Sequence, residues 1–267
     1  MKQILVLTLI LFSLVIPVFA QNDNKEAITI LNRLYCPAGQ APVNDIVIEY
    51  EQMDSSGKAA MSLGSKDKIY FKQPVKIRVD SVLVDPGNVN DGKNLIVIRD
   101  GINAWLYLST GQYPVKKKLD EPSPPLNLPF GLTHYPEDLN RKYKIEGREK
   151  IEGVNALKIS FKDPQNDHVN TDVWIDTQRC VPVQFMSIHT VKYRIKKGTK
   201  EEQEKERHSV KKVIYKDFGQ TKDGRYFPMK LEKYIGDDLS TLIIYKGIKV
   251  NSDLQDHLFE PMEKILR

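Results

Sequence analysis

Residues 69–79, IYFKQPVKIRV, alternate with period two: Ile69, Phe71, Val75, Ile77 and Val79 fall on one side, and Tyr70, Lys72, Lys76 and Arg78 on the other. The pattern predicts a half-buried strand in which Gln73, next to Pro74, is the single polar residue on the apolar side. Other segments are apolar on both sides. In LIVIRDGINAWLYL, Leu95 and Val97 alternate with Ile96 and Ile98, and Ala104, Leu106 and Leu108 alternate with Trp105 and Tyr107. In DVWID and CVPVQFMSI, Val173 and Ile175 stand against Trp174, and Val183 and Phe185 against Met186 and Ile188. TLIIYKGIKV repeats the pattern. An exposed antiparallel face is polar, so strands of this kind need cover on both faces.

Little helix is available to supply that cover. Residues 24–35, NKEAITILNRLY, put Ala27, Ile28, Leu31, Leu34 and Tyr35 on one helical face, with Asp23 or Asn24 as N-cap and Pro37 ending the run. A short second helix is a candidate at Glu137–Tyr143. Elsewhere strands are punctuated by turn signals at Asp54–Gly57, Asp91–Gly92, Asp100–Gly101, Glu146–Gly147, Glu152–Gly153, Asp223–Gly224 and Gly236–Asp238. This predicts a mainly β, largely antiparallel meander. A doubly wound parallel sheet is excluded, because it needs a crossover helix between successive strands. With so few helices the sheet is expected to curl, closing its concave side on itself and on the proline-rich residues 120–136, DEPSPPLNLPFGLTHYP. Within that stretch Leu126, Leu128, Phe130 and Leu132 need an apolar surface beneath them, as a flap over a cavity or as a loop packed outside. The pattern leaves a filled interior and an apolar hollow equally open.

The chain of 267 residues suits one large β domain, and no linker divides it. Its first twenty residues, MKQILVLTLILFSLVIPVFA, have a basic head at Lys2, an apolar run from Ile4 to Ile16, and Val18 and Ala20 where a signal peptidase reads. Cleavage after Ala20 and export to the periplasm as a soluble protein are expected, since the apolar run is short for a span. A net charge of +5 is spread along the chain, which argues against nucleic acid as a partner. Two cysteines, Cys36 and Cys180, are compatible with a disulfide in an oxidising compartment and equally with buried thiols. Residues 196–212, KKGTKEEQEKERHSVKK, read as an exposed hairpin tip or a frayed loop.

Chemistry is sparse. Nucleophile elbow, zincin, dinucleotide and phosphate-loop motifs are missing, and SGKA at 56–59 lacks the earlier glycine and the hydroxyl after lysine. His134, His168, His189, His208 and His257 lack metal spacing. No catalytic residue, metal site or cofactor is expected. An envelope hydrolase would require distant carboxylates to converge in a cleft.

Several segments, taken in order, carry a family resemblance. A helix after the leader is followed by YFKQPVKIRVD, LIVIRDGINAWLYLSTGQ, IEGVNALKISFKDP, TDVWIDTQRCVPVQF, VIYKDFGQTKDGRYFPMKLEKYI and KGIKVNSDLQDHLFEP. Together they resemble the LolA/LolB-type outer-membrane lipoprotein sorting proteins over nearly the whole mature chain. The resemblance implies a strongly curved antiparallel half-barrel, covered by an N-terminal helix and a lid, whose hydrophobic cavity receives acyl chains. It implies a monomeric, non-enzymatic carrier of acylated lipoprotein or lipid, loaded by an envelope membrane complex or passing cargo to a receptor. Residues expected to line the cavity are Ile69, Phe71, Gln73, Val75, Ile77, Trp105, Tyr107 and Trp174, with Leu126, Leu128 and Phe130 as lid. In that family an arginine precedes the strand proline and bonds the lid. Gln73 stands there instead and lacks the charge and planar fork, which implies a weaker closed state. Alternatively Pro74 forces a bulge that turns the amide to solvent. The charged 196–212 segment is a second departure, and it leaves open an envelope sensor or interaction module on the same fold.

Overall fold

The computed structural model describes residues 24–55, 61–73, 76–84, 92–100, 103–110, 113–119, 142–163, 166–196 and 202–261. Among these, one helix (α1, residues 24–31) precedes thirteen strands. The first group is β1 (Asp45–Ser55), β2 (Met61–Lys72), β3 (Lys76–Leu83), β4 (Asn94–Arg99), β5 (Ala104–Thr110) and β6 (Tyr113–Leu119). The second is β7 (Tyr143–Ile151), β8 (Val154–Asp163), β9 (Asn166–Asp176), β10 (Val181–Lys196), β11 (Glu202–Gln220), β12 (Tyr226–Ile235) and β13 (Asp238–Val250). A short 3-10 turn follows at Asp256–Phe259.

All thirteen strands form one sheet in the order β6-β5-β4-β3-β2-β1-β13-β12-β11-β10-β9-β8-β7. It is two antiparallel meanders joined where β1 pairs with β13. The joint leaves β6 and β7, consecutive in the chain, as the two edges of an open half-barrel. The meander therefore breaks between β6 and β7.

One face of the sheet wraps α1. Ala27, Leu31, Leu34 and Tyr35 of the N-terminal segment share a core with Ile48 of β1, Phe71 of β2, Val79 of β3, Ile159 of β8, Val173 of β9 and Ile243 of β13. The strands from β3 round to β7 would span on the order of 40 Å if flat. A helix of about 12 Å could not cover that width. Yet Ile46, Ile48, Ile69, Phe71, Ile159, Val173 and Ile243 are all 0% exposed. Curvature lets the strands' own side chains cover one another.

Local departures from the sequence pattern have physical causes. IYFKQPVKIRV spans two strands rather than one: β2 ends at Lys72, which pairs with Lys76 at the start of β3, and Gln73 lies in a turn. A three-residue loop preserves the parity of alternation, so Phe71 and Ile77 still face the same way and the turn leaves no trace in the pattern. Glu146–Gly147 is a bulge within β7, where Gly147 takes φ +118°, and not a turn. The helix is shorter than expected. Arg33 and Leu34 donate to carbonyls three residues back, and Tyr35 adopts φ +59°, which ends the run. Asn24 lies within α1, and its Oδ1 accepts the Tyr143 N–H at 2.8 Å, tying the helix to edge strand β7. Tyr143 is the first residue of β7, whereas residues 137–141 of the second helix candidate lie outside the described residues.

Two buried charged groups fix the ends of this arrangement. Arg225, 2% exposed, donates from Nη1 to the Tyr35 carbonyl at 2.7 Å, from Nη2 to the Ala41 carbonyl and from Nε to Asp223 at 2.6 Å. It clamps the chain leaving α1 onto the β11–β12 turn. Asp45, 5% exposed, accepts the backbone N–H groups of Ser252, Asp253 and Leu254 at 2.6, 3.1 and 3.4 Å. That grip turns the chain after β13 so that Leu254 and Phe259 cover Val47 and Tyr70 on the face away from α1.

Candidate functional site

The inner face, which wraps α1, is where the strands' apolar rows converge. Register puts Ile46, Ile48, Tyr50 and Gln52 of β1 in line with Phe71, Ile69, Asp67 and Ser65 of β2, and the latter with Ile77, Val79, Ser81 and Leu83 of β3. Across the joint, Tyr50 stands opposite Tyr245, and Ile243 opposite Leu231. Each row changes character along its length. Near α1 it is aromatic and aliphatic: Tyr35 stacks on Phe227 at 4.6 Å between ring centroids, and Tyr143 packs on Phe161 at 5.2 Å. Tyr50 and Tyr245 follow, edge to face at 5.9 Å. Burial holds the Tyr245 hydroxyl well above its ordinary pKa, with Tyr215 and Tyr50 adding to the effect.

Beyond the tyrosines the same face turns polar while staying partly dry. Ser65 donates to Asp67 at 2.6 Å, and both are buried together with Ser81. Asp54 accepts from Gln52 at 2.9 Å and from Thr241 at 3.0 Å. Lys233 stands opposite Thr241 in the ladder; burial pulls its ammonium below the ordinary value, against the opposing charge of Asp54. The inner face thus has an apolar floor and a hydrogen-bonding rim. Apolar and polar side chains occupy separate stretches of one face. Among the described residues no group of His, Cys, Asp and Glu is placed to hold a metal ion.

The opposite, outer face differs. Ladder pairs join Tyr70 to Arg78, Arg78 to Ile98 and Ile98 to Trp105, and Ile96 to Tyr107. Trp105 and Tyr107 therefore lie on the outer face, while Ile69, Phe71 and Ile77 lie on the inner one. Trp174 is also on the outer face, its Nε1 donating to Glu149 at 2.8 Å and Lys158 lying 5.0 Å from its ring. It packs with Ala156 and Val183 in a separate small cluster. The expected lining residues thus divide between two faces instead of sharing one wall. Gln73 sits in the β2–β3 turn, where its N–H donates to the Asn44 carbonyl at 2.8 Å. Val75 and the lid residues Leu126, Leu128 and Phe130 lie outside the described residues.

An open groove of about 460 Å³ along β1 to β4 has the charged Glu49, Glu51, Lys66, Lys68 and Lys246 in its lining, beside Tyr50, Asp67, Asp80, Ser81, Val82, Asn94 and Ile96. Its charges are already matched: Glu49 with Lys68 at 2.9 Å and Glu51 with Lys246 at 2.9 Å. The inner-face residues that sequence reasoning passed over are Tyr50, Tyr215, Tyr245 and Phe227. Tyr50 and Tyr245 carried a usable signal, because they fall in step at a spacing of two with the buried Ile46 and Ile48 and with the buried Ile243.

The architecture is an open antiparallel half-barrel wrapped round a helix, with one apolar face turned inward. The fold is LolA-like. A DUF1329 family protein from Desulfovibrio piger superimposes with TM-score 0.59 at 12% identity, over 90% of this chain and 98% of that one. A putative outer membrane lipoprotein-sorting protein domain from Vibrio parahaemolyticus gives 0.58 at 13%, over 92% and 99%. A LolA superfamily protein from Nitrosomonas europaea gives 0.54 at 11%, over 90% and 99%. Neither a family model nor a curated protein sequence matches the chain. At these identities the likeness concerns fold alone.

Proposed function

We propose that this protein is an envelope carrier that holds the acyl chains of lipoproteins or lipids against the inner face of its half-barrel, without a cofactor and without catalysis. The observation that carries the reading is the inner face itself: a continuous apolar and tyrosine-lined surface on a sheet whose edges, β6 and β7, do not pair. An unclosed sheet can part to admit a chain where a closed barrel cannot. Each methylene moved from water to that surface contributes about 0.8 kcal/mol, so a single acyl chain suffices for reversible capture. Leu126, Leu128 and Phe130 act in this reading as the lid across the gap between the edges.

The test is lipid mass spectrometry of the exported protein, followed by binding of a triacylated peptide to delipidated material. Val97 and Ile96 are neighbours in β4 that face opposite ways. Val97→Glu should abolish capture and Ile96→Glu should leave it intact, with circular dichroism showing both folded. Protein that carries no lipid and fails to solubilise the peptide would end the carrier reading.

A second reading draws on the tight packing beside α1, where Tyr35 and Phe227 are 0% and 1% exposed and leave no space between them. If the rest of the interior is equally full, the module recognises an envelope protein through the long β10–β11 hairpin. Deletion of residues 196–202 distinguishes the two, since a carrier keeps its lipid and a recognition module loses its partner.

A further inference from the structure

The chain leaving α1 meets the β9–β10 turn at a single backbone contact: the Tyr35 N–H donates to the Cys180 carbonyl at 2.8 Å. The next residue along the chain is Cys36. Two cysteines 144 positions apart in sequence are thereby set at one crossing point, and both are free and only partly buried. Arg225 holds the crossing in place through the carbonyls of Tyr35 and Ala41, on either side of Cys36. Neither thiol is committed elsewhere. Cys36 Sγ donates to the Gln40 carbonyl at 3.3 Å and Cys180 Sγ to the Thr177 carbonyl at 3.7 Å, weak bonds within their own turns.

The backbone at Cys180 adds an independent argument. This residue closes the four-residue turn after β9 with φ +55°, a left-handed conformation that glycine adopts without penalty and other residues at a cost of about 1 kcal/mol. Asp176 already builds the turn by accepting the N–H groups of Gln178 and Arg179 at 2.9 and 3.2 Å. Apart from the weak contact of its Sγ with the Thr177 carbonyl, the turn is built without the side chain at position 180, and a thiol stands there against the backbone preference.

We propose that Cys36 and Cys180 form a dithiol site that is oxidised to a disulfide by a thiol–disulfide oxidoreductase of the compartment, stapling the end of α1 to the β9–β10 turn. The Cys36 thiolate attacks the oxidoreductase disulfide, which forms a mixed disulfide and expels one of the enzyme's sulfurs as thiolate. Cys180 then displaces the second enzyme sulfur. The chain loses two protons and two electrons, and the oxidoreductase leaves as a dithiol. Burial raises the Cys180 thiol above its ordinary value, with smaller opposing and reinforcing contributions from Arg33, Asp176 and Cys36 itself, so Cys180 suits the second step better than the first. Closure requires rotation of both side chains away from their turn carbonyls and leaves the Tyr35–Cys180 backbone contact in place. The staple fixes the helix against the inner face whether or not that face holds lipid, so the proposal stands apart from the carrier reading.

The experiment exports the full chain with its own leader into an oxidising periplasm, quenches in acid and alkylates under denaturing conditions. Expected is a protein that takes no alkyl group until reduced and two after reduction, with a Cys36–Cys180 linked peptide in the non-reducing digest. Cys36→Ser and Cys180→Ser should each leave one alkylatable thiol. Reductant should lower the thermal midpoint of the wild type by about 10 °C and leave the double serine variant unmoved. Two alkyl groups on unreduced wild type, after further incubation of the native protein with an oxidised disulfide oxidoreductase, would overturn the proposal. A linked peptide joining two chains instead of one would do the same.

Discussion

The two faces of the same strands live by different rules. On β2, Ile69 and Phe71 are 0% exposed within a core that runs from α1 to edge strand β7, while Lys68 and Tyr70, one residue away, lie on a face patterned by ion pairs. There Lys72 and Lys76 share Asp256 at 2.7 and 3.0 Å, Arg78 meets Asp80 at 2.8 Å, and Glu232 gathers Lys216 and Lys230 at 2.9 Å each. Apolar burial on the outer face occurs under Leu254 and Phe259, around Trp174, and at Ile98 and Tyr107. The inner face derives its stability from excluding water. The outer face is held instead by ion pairs open to water, each of which contributes little to stability.

The sharpest way to break this comparison is to truncate neighbours that point opposite ways. Phe71→Ala should cost about 3–5 kcal/mol in urea unfolding, because it removes a fully buried ring and leaves a cavity. Tyr70→Ala, half-buried against Leu258 and Phe259, should cost about 1 kcal/mol. Equal losses would mean that the two faces are buried alike.

Next in size is the clamp at the end of α1. Arg225→Met removes a buried cation and strands the carbonyls of Tyr35 and Ala41, with an expected loss of about 3 kcal/mol. Hydrogen exchange should locate the damage in α1 and the 35–41 segment, with the outer ion pairs unaffected. Uniform deprotection of the sheet would show that Arg225 acts on the fold as a whole.

Glu232 tests the outer face by pH. Burial alone would raise its pKa, but hydrogen bonds from Lys230, Lys216 and Tyr234 outweigh that and hold it at about 2, against an ordinary 4.5. A folded value below the unfolded one means that the carboxylate stabilises the fold above pH 4.5 and that this contribution is lost as pH falls towards 2. With its side chain 10% exposed, the contribution at neutral pH is about 2 kcal/mol after allowance for solvent screening. Glu232→Gln should therefore be less stable than wild type at pH 7, with the gap closing towards pH 2. A gap independent of pH would assign the loss to packing instead.

How much of this was legible beforehand follows from what alternation encodes. Period two reports that Ile69, Phe71, Ile77 and Val79 share a side, and they do, but it carries no label for which side curls inward. Trp105, Tyr107 and Trp174 attract attention by size, and all three lie on the outer face. The smaller signal of Tyr50 in step with Ile46 and Ile48 pointed inward. The β2–β3 turn was invisible because its odd loop keeps parity. Residues 196–212 left a hairpin tip and a frayed loop open because charge dominates them; residues 202–212 belong to β11, whose register with β10 sets Lys196 opposite Glu202 and Arg194 opposite Glu204. Opposite charges at paired positions are as good a strand signal as β-branched residues when both faces meet water. The antiparallel meander was readable, since turn residues act locally. The division of faces was not, since it depends on where β1 meets β13, a pairing across nearly the whole chain.

The smallest expected effect is the most discriminating control. Lys68 pairs with Glu49 at 2.9 Å, and the two side chains are 40% and 53% exposed. The contact pulls Glu49 below and pushes Lys68 above their ordinary pKa values, yet at this exposure most of the attraction is spent against water and side-chain entropy. Lys68→Ala should change stability by no more than about 0.5 kcal/mol, and raised salt should shrink the difference further. Ile69→Ala, one residue along, should cost about 3 kcal/mol and respond little to salt. A Lys68→Ala loss that approached the Ile69→Ala loss and survived high salt would place Lys68 in a dry setting. The outer groove would then be a second buried surface, and the single inward-facing apolar wall on which the carrier reading rests would no longer be special to one side of the sheet.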